Sequence, residues 1–483
     1  MTMKLSAALL LTLCWVSSQS AVAWSWGSNN KKNDSTNDNA EPKPEEPSVL
    51  GGLSPVSVSA QGIPMVTLHN DLLMPLVGLG VEYLPPYMVP LMTASALQPD
   101  KKTYLFDTAH VTGNENMLAT GISQGMERLD AKDALEIHVI TKVWYTHLGY
   151  HRTMISVQES FQTLKESVGL QDPRVTLKLH VLLQWPRCYE NIEWMNCELD
   201  EATVAPHVQQ AGPPPHQDKD NAWKESWKAL QDLYLQQTVP VASIGVANFH
   251  YKDLKDMDAM EGLTVHPHIL QVSVWSLLYD PLLVDYCQER NIHLQIVDAI
   301  DGILADPSRA PNAHHHLLKV ADDLQAKLEK EGGPAYEELT PVQVILAWLV
   351  QQGVSVIPGT ERLSELQQNS ALTLGSLPTL SNGQVETVAH CLEAFLSGDD
   401  LEKDIHAYVT FTAKSKDTML YWQKPDGTGE SKIAFIGKGR SFNETTYPKH
   451  HFRIYDARNK DNFIDYHVQA RFGEHQTFEA YLD

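Results

Sequence analysis

Val175-Thr176-Leu177-Lys178-Leu179-His180-Val181-Leu182-Leu183-Gln184 is a nearly continuous apolar, β-branched run. Before it lies Ile155–Leu170, where Phe161, Leu164 and Val168 recur at helical spacing. After it, beyond a long polar loop, comes Trp223–Leu235, where Trp223, Trp227, Leu230 and Leu233–Leu235 do the same. A strand that is apolar on both faces, flanked by helices with one apolar stripe, belongs to a parallel sheet covered by helices. Working outward, the same kind of short run recurs at Pro75–Gly80, Tyr104–Ala109, Ile137–Val143, Val241–Asn248, Ile269–Trp275, Ile292–Ile300 and Val354–Pro358. Further candidate helices are Pro281–Arg290, His315–Lys330 and Pro341–Gln352. Eight strand–helix units between residues 59 and 397 predict an α/β fold, a (β/α)8 TIM barrel. A doubly wound sheet is the alternative, weakened by the absence of GxGxxG after the first strand.

A barrel places its chemistry at the carboxyl ends of its strands. Those ends carry Asp107, Lys142, Gln184, Ala247-Asn248, Gln271 and the turn Ile357-Pro358-Gly359-Thr360. The Pro-rich, polar loop Arg187–Asn221 leaves the fourth strand at that end and is expected to roof the pocket. Trp144, Trp185, Trp223, Trp227 and Trp275 read as core rather than as a stacking platform. His314-His315-His316 invites a metal reading, but consecutive side chains point apart, so no metal is expected.

The rest of the 483 residues bounds the function. Sixty acidic against 37 basic residues give a net charge of −23, which excludes a general nucleic-acid binder and docking on anionic lipid. A chain 43% hydrophobic and 20% charged is neither globally disordered nor a coiled coil. Residues 1–23 hold one lysine, an apolar run from Ala7 to Val16 and the small-x-small end Ala21-Val22-Ala23. They read as a secretory signal peptide, which sends the protein to the endoplasmic reticulum lumen or outside the cell. Trp24 at the junction leaves a bipartite plastid leader as the alternative, against which Asp34, Asp38, Glu41, Glu45 and Glu46 weigh. Residues 24–58 are polar and read as a disordered linker. Asn33-Asp34-Ser35 and Asn443-Glu444-Thr445 are glycosylation acceptor triplets. No CxxC pair occurs. Cys188 and Cys197 could close a small loop, with two buried free thiols as the alternative.

After Ser397-Gly398-Asp399-Asp400 the pattern changes. Val409–Thr412, Met419–Trp422, Ile433–Ile436, His451–Tyr455 and Phe463–Val468 are short β-branched and aromatic runs, separated by turn signals such as Pro425-Asp426-Gly427. They predict a small all-β sandwich over 404–483.

Six segments, in order, resemble the aldo-keto reductase family: Met74–Gly80, Phe106-Asp107-Thr108-Ala109 through Asn114-Glu115, Ile140-Thr141-Lys142-Val143-Trp144, Leu182-Leu183-Gln184-Trp185-Pro186, Ile244-Gly245-Val246-Ala247-Asn248-Phe249, and Val356-Ile357-Pro358-Gly359-Thr360 through Asn369. The resemblance implies a barrel that reduces a small aldehyde or ketone with NADPH. In that family a tyrosine gives the proton, a lysine paired with an aspartate lowers its pKa, and a histidine orients the carbonyl. Asp107 and Lys142 match. Thr112 stands at the tyrosine position and Gln184 at the histidine position, so the acid is lost and catalysis is expected to be weakened. Thr112→Tyr is expected to restore it.

The cofactor positions that the resemblance implies are Ala247, Asn248, Gln271, Gly359, Thr360, Arg362 and Asn369. Ala247 replaces a serine, and Leu294-Gln295-Ile296-Val297-Asp298 offers no aromatic to stack on a nicotinamide, so NADPH is expected to bind weakly or not at all. The last eighty or so residues resemble the von Hippel–Lindau β-domain, through Phe411–Ser415, Leu420-Tyr421-Trp422 and Thr446–Phe452. That resemblance implies a peptide pocket at Thr446, His450 and Phe452. Two readings follow: a weakened oxidoreductase, or a catalytically silent barrel that serves as a binding module beside a peptide-binding sandwich.

Overall fold

The computed structural model describes residues 54–482 apart from 167–170, 301–305, 333–337, 402–405, 425–428, 448–449 and 469–474. The leader, the first acceptor triplet, most of the expected linker and the turn at Pro425-Asp426-Gly427 lie outside the described residues. Strands β1 (Val56–Val58), β2 (Pro64–Thr67) and β3 (Leu73–Pro75) form a small antiparallel sheet. The expected linker therefore stops short of residue 58, because Val56–Val58 pairs with Pro64–Val66. This sheet sits at the amino-terminal end of the barrel: His69 Nδ1 lies 3.2 Å from the Asn291 carbonyl, and Asn70 donates to that of Ala242.

The barrel strands are β4 (Leu79–Gly80), β5 (Leu105–Asp107), β6 (Leu135–Val143), β7 (Val175–Leu183), β8 (Val241–Ala247), β9 (Ile269–Ser273), β10 (His293–Val297) and β11 (Ser355–Ile357), parallel and paired in chain order. The first and last strands close on each other: Gly78 N–H donates to Val356 O at 2.9 Å, Val356 N–H to Leu76 O at 2.8 Å, and Gly80 N–H to Pro358 O at 3.1 Å. A Cβ on Gly78 would come within 2.6 Å of Ile357 Cδ1 and 3.0 Å of Leu105 O, so the seam needs glycine there. The helices read from the 3.6 spacing are present as Tyr150–Glu166, Ala222–Gln236, Pro281–Glu289, Pro311–Lys330 and Pro341–Gln351. Thr340 and Gln343 form a capping box on the last of these, satisfying amide donors that the first turn leaves unpaired.

Trp223 and Trp227 are buried in the core, as read. Trp144, Trp185 and Trp275 are half-buried and pack against the same core, the first two clustered with Trp194 at the carboxyl-terminal end. The loop after β7 is ordered by short helices and by a disulfide between Cys188 and Cys197, with Cα atoms 5.8 Å apart. Its Glu201 makes a two-pronged ion pair with Arg152 at 2.9 Å, and its Asp200 accepts from the Tyr145 hydroxyl.

Seven strands follow: β12 (Ala407–Ala413), β13 (Thr418–Gln423), β14 (Glu430–Ile436), β15 (Ser441–Thr446), β16 (His451–Asp456), β17 (Asn459–His467) and β18 (His475–Ala480). They form sheets ordered β15-β12-β18 and β14-β13-β16-β17, around a core of its own that includes Val409, Phe411, Leu420, Phe452 and Ile454. The alternation along β12, with every second residue buried, is that of a sheet facing one core.

Candidate functional site at the barrel top

Asp107 ends β5, Lys142 is one residue from the end of β6, and Gln184 follows β7 directly. The barrel brings them together. Lys142 Nζ lies 2.6 Å from Asp107 Oδ2 and 2.7 Å from Glu82 Oε2. Glu82, just beyond β4, also accepts from Gln184 Nε2 at 2.8 Å. Gln271 on β9 donates to Asp107 Oδ1 at 3.1 Å and to Gln295 Oε1 at 2.8 Å. A single chain of polar contacts thus runs from Gln184 through Glu82, Lys142, Asp107 and Gln271 to Gln295. Glu82 and Gln295 were not singled out from sequence; the one available signal was a carboxylate just past the end of a barrel strand.

Charge in this cluster is uneven: two carboxylates face one ammonium. Burial pulls the Lys142 ammonium toward neutrality, but Asp107 and Glu82 outweigh it and hold its pKa above the usual lysine value. Burial raises the Asp107 carboxyl above its ordinary range despite Lys142, and Glu82 adds to the rise.

Thr112 does not join the cluster. Its hydroxyl donates to Ala109 O at 2.7 Å and to Asn114 Oδ1 at 2.9 Å, within its own turn. Asn114 in turn donates to Val81 O at 2.9 Å. The nearest phenol in sequence to the cluster, Tyr83, is 64% exposed. The buried part of the side chain, then the charges of Glu82, Asp298 and Asp107, raise its phenol above the ordinary tyrosine value, the opposite of what a proton donor needs.

The expected cofactor residues are dispersed in their tasks. Asn248, in left-handed backbone at φ 58°, donates its amide to Gln184 O at 2.9 Å, and so braces two strand ends. Ala247 is buried and offers no polar group. The Gln271 amide is engaged by Asp107 and Gln295. Gly359 lies against the seam, where its Cβ would sit 3.4 Å from Gly80 O. Thr360 Oγ1 donates to Glu365 at 2.5 Å, and the Arg362 guanidinium, 77% exposed, pairs with the same Glu365 at 2.9 Å. Asn369 caps a helix of six residues, Leu363–Gln368. The nicotinamide end therefore does not fit the group, and at the phosphate end Arg362 is already paired with a carboxylate.

In the sandwich, Phe452 is core, and Thr446 Oγ1 lies 2.7 Å from His450 Nδ1. His450 Nε2 lies 3.2 Å from Glu386, on the barrel-domain helix Asn382–Ser397. The three expected pocket residues are brought together but face inward or against that helix. Among the described residues no group of three or more His, Cys, Asp or Glu side chains is placed to hold a metal, and no helix is long and apolar enough to cross a membrane.

A profile of the Aldo/keto reductase family matches residues 101–393. The chain is 26% identical over 313 residues to "Uncharacterized oxidoreductase YtbE" of Bacillus subtilis (strain 168), covering 63% of this chain and 86% of that protein. It is 25% identical over 306 residues to "9,11-endoperoxide prostaglandin H2 reductase" of Trypanosoma cruzi (strain CL Brener), covering 63% and 84%. Against human "Aldo-keto reductase family 1 member A1" it is 25% identical over 307 residues, covering 63% and 82%. Among solved structures, an aldo/keto reductase from Brucella melitensis aligns with a TM-score of 0.48 at 20% identity, over 68% of this chain and 98% of that one. With its profile match spanning more than half of the sequence, the chain belongs to the aldo/keto reductase family.

Proposed function

We propose that the barrel is a divergent aldo/keto reductase in which NADPH-dependent reduction of aldehydes and ketones is weakened. One observation carries this reading: Lys142 is gripped between Asp107 and Glu82, while Thr112 bonds within its own turn. An aliphatic hydroxyl is a far weaker acid than a phenol, and losing general acid–base help costs about 10²–10⁴ in rate. The test is aldehyde reduction followed by loss of NADPH absorbance, together with NADPH titration by tryptophan fluorescence. Weak binding and slow turnover are expected. A submicromolar dissociation constant with turnover at a rate normal for the family would overturn the reading.

The second reading, a barrel kept as a binding module, is favoured by Gln184 Oε1, a buried acceptor that no donor reaches among the described residues. We read the sandwich as a von Hippel–Lindau-like β-domain whose peptide site opens only if His450 leaves Glu386. Passage through the secretory pathway is part of the proposal. The Cys188–Cys197 bridge supports it, since disulfides persist in oxidising compartments.

A further inference from the structure

Among the described residues, the polar cluster at the barrel top leaves an acceptor without a partner at its Gln184 end and a donor, Gln295 Nε2, without one at its other end. The Lys142 ammonium faces two carboxylates, the Gln184 amide N–H is on Glu82, and the Gln271 amide is on Asp107 and Gln295. Gln184 Oε1 accepts from nothing, although the residue is only 5% exposed. The amide cannot be turned round to relieve this, because its oxygen would then face the Glu82 carboxylate. A buried acceptor without a donor costs about 1–3 kcal/mol, and beside it two carboxyl groups share one ammonium.

We propose that the Glu82–Gln184 end of this cluster takes the protonated amine of a small alkylammonium ligand rather than a carbonyl oxygen. A carbonyl would meet Gln184 Oε1 and the carboxylates acceptor to acceptor. An ammonium brings three N–H donors and a positive charge. Glu82, 9% exposed against 2% for Lys142, is the side of the cluster open to approach. Aromatic rings stand at the ends of the same strands. Trp144 follows β6 and Trp185 follows Gln184, and the Trp194 ring lies 6.1 Å and 5.7 Å from theirs. Such rings accept an alkyl chain and attract a cation through their faces. The proposal rests on the weakened-catalyst reading only in taking the carbonyl-orienting donor as lost.

The experiment is calorimetric titration of the full chain, without nucleotide and at matched ionic strength, with n-butylammonium chloride, n-butanol and butyraldehyde. Butylammonium is expected to bind at least about tenfold more tightly than either neutral compound. Glu82→Gln and Gln184→Leu should each weaken it by about tenfold or more, and butanol by less. N-acetyl-lysine methylamide in place of butylammonium separates a peptide lysine from a free amine as the source. An aldehyde that binds as tightly as the ammonium, no ammonium binding, or ammonium binding untouched by both variants overturns the proposal. If Glu82→Gln does not fold, the wild-type ranking and Gln184→Leu still decide. Aldehyde turnover with NADPH, measured separately, tests the enzyme reading and leaves this ranking unaffected.

Discussion

A lysine acidifies a phenol beside it only with charge that other groups have not already cancelled. At Lys142 that charge is shared by Asp107 at 2.6 Å and Glu82 at 2.7 Å. The simple repair Thr112→Tyr, attractive from sequence alone, therefore sets a phenol beside a neutralised ammonium. We predict no gain in aldehyde reduction from Thr112→Tyr alone at saturating NADPH. With Glu82→Gln added, the ammonium is freed, and turnover should rise by about tenfold or more, a small part of the range that general acid catalysis spans. A gain from the single variant as large as from the pair would show that Glu82 does not restrain Lys142. The same cluster governs stability. Lys142→Met leaves Asp107 and Glu82 buried together without a cation, and breaking a buried pair by removing one partner costs about 3–5 kcal/mol. Urea unfolding of this variant should show that loss, and adding Glu82→Gln to it should recover part. An unchanged midpoint for Lys142→Met would mean that the carboxylates are protonated or solvated.

Elements carry the site in two ways, by the roof and by the floor. The loop after β7 is pinned by Cys188–Cys197, nine residues apart in sequence, and by Arg152 on Glu201. Closing so small a ring restricts the unfolded chain by about 3 kcal/mol, so reduction, or Cys188→Ser with Cys197→Ser, should lower the melting temperature and open the loop to protease before the barrel. The floor is lined with neutral histidines. His138 Nδ1 lies 3.0 Å from His180 Nε2, His180 Nδ1 lies 2.7 Å from Ser243 Oγ, and His293 Nε2 lies 2.6 Å from Ser355 Oγ. Burial pushes His293 down to about 3 and His268 to about 4, and lowers His138 and His180 as well. Because these folded pKa values lie below the unfolded one, nothing is lost above about pH 6.5. Below that, the unfolded chain takes up protons that the fold refuses, and each such histidine costs about 1.4 kcal/mol per pH unit. Asp107, held above its usual range, works the other way as its burial is relieved. With several lowered histidines against the raised carboxyls of Asp107 and Glu444, the melting temperature should fall steadily from pH 6.5 toward pH 4; a flat profile would contradict the neutral floor. Elements were also what the sequence showed best. Barrel strands such as β6 and β7 are apolar on both faces, and this run-length signal survives without knowledge of partners. Val56-Ser57-Val58 alternates but is only three residues long and exposed throughout, and β15 reads Ser-Phe-Asn-Glu-Thr-Thr with a single large apolar residue, so neither carries a run long enough to betray a strand. Asp107 and Lys142 were legible as strand-end charges. Glu82 was not, because only the pairing of neighbouring strands across the barrel turns an apparently solvent-facing glutamate into a ligand of Lys142.

Among the described residues the molecule has two hydrophobic cores, with the sandwich docked on the last barrel helix. The barrel core and the sandwich core share no residue, which predicts that each can fold without the other. Between them, the Tyr447 side chain is buried. Its hydroxyl donates to Gly383 O and lies 2.9 Å from Thr387 Oγ1, while His450 reaches Glu386 at 3.2 Å. All three barrel-side partners sit on the helix Asn382–Ser397 that ends the family match. The sandwich is thus held by the last barrel helix, and its chain connection to the barrel runs through residues 397–405. Limited proteolysis there should release a fragment of about eighty residues. Because Tyr447 and His450 still grip the helix after the cut, the two pieces should co-elute on gel filtration under native conditions. Tyr447→Ala removes the buried ring and its hydroxyl contacts to Gly383 O and Thr387, so the cut pieces of this variant should separate, each with a cooperative melt of its own. If the cut pieces of the wild type part at once, the docking is not what holds them. If Tyr447→Ala pieces stay together, or one piece unfolds when the other is removed, the two cores are one cooperative unit, and a peptide site beneath His450 could open only by unfolding.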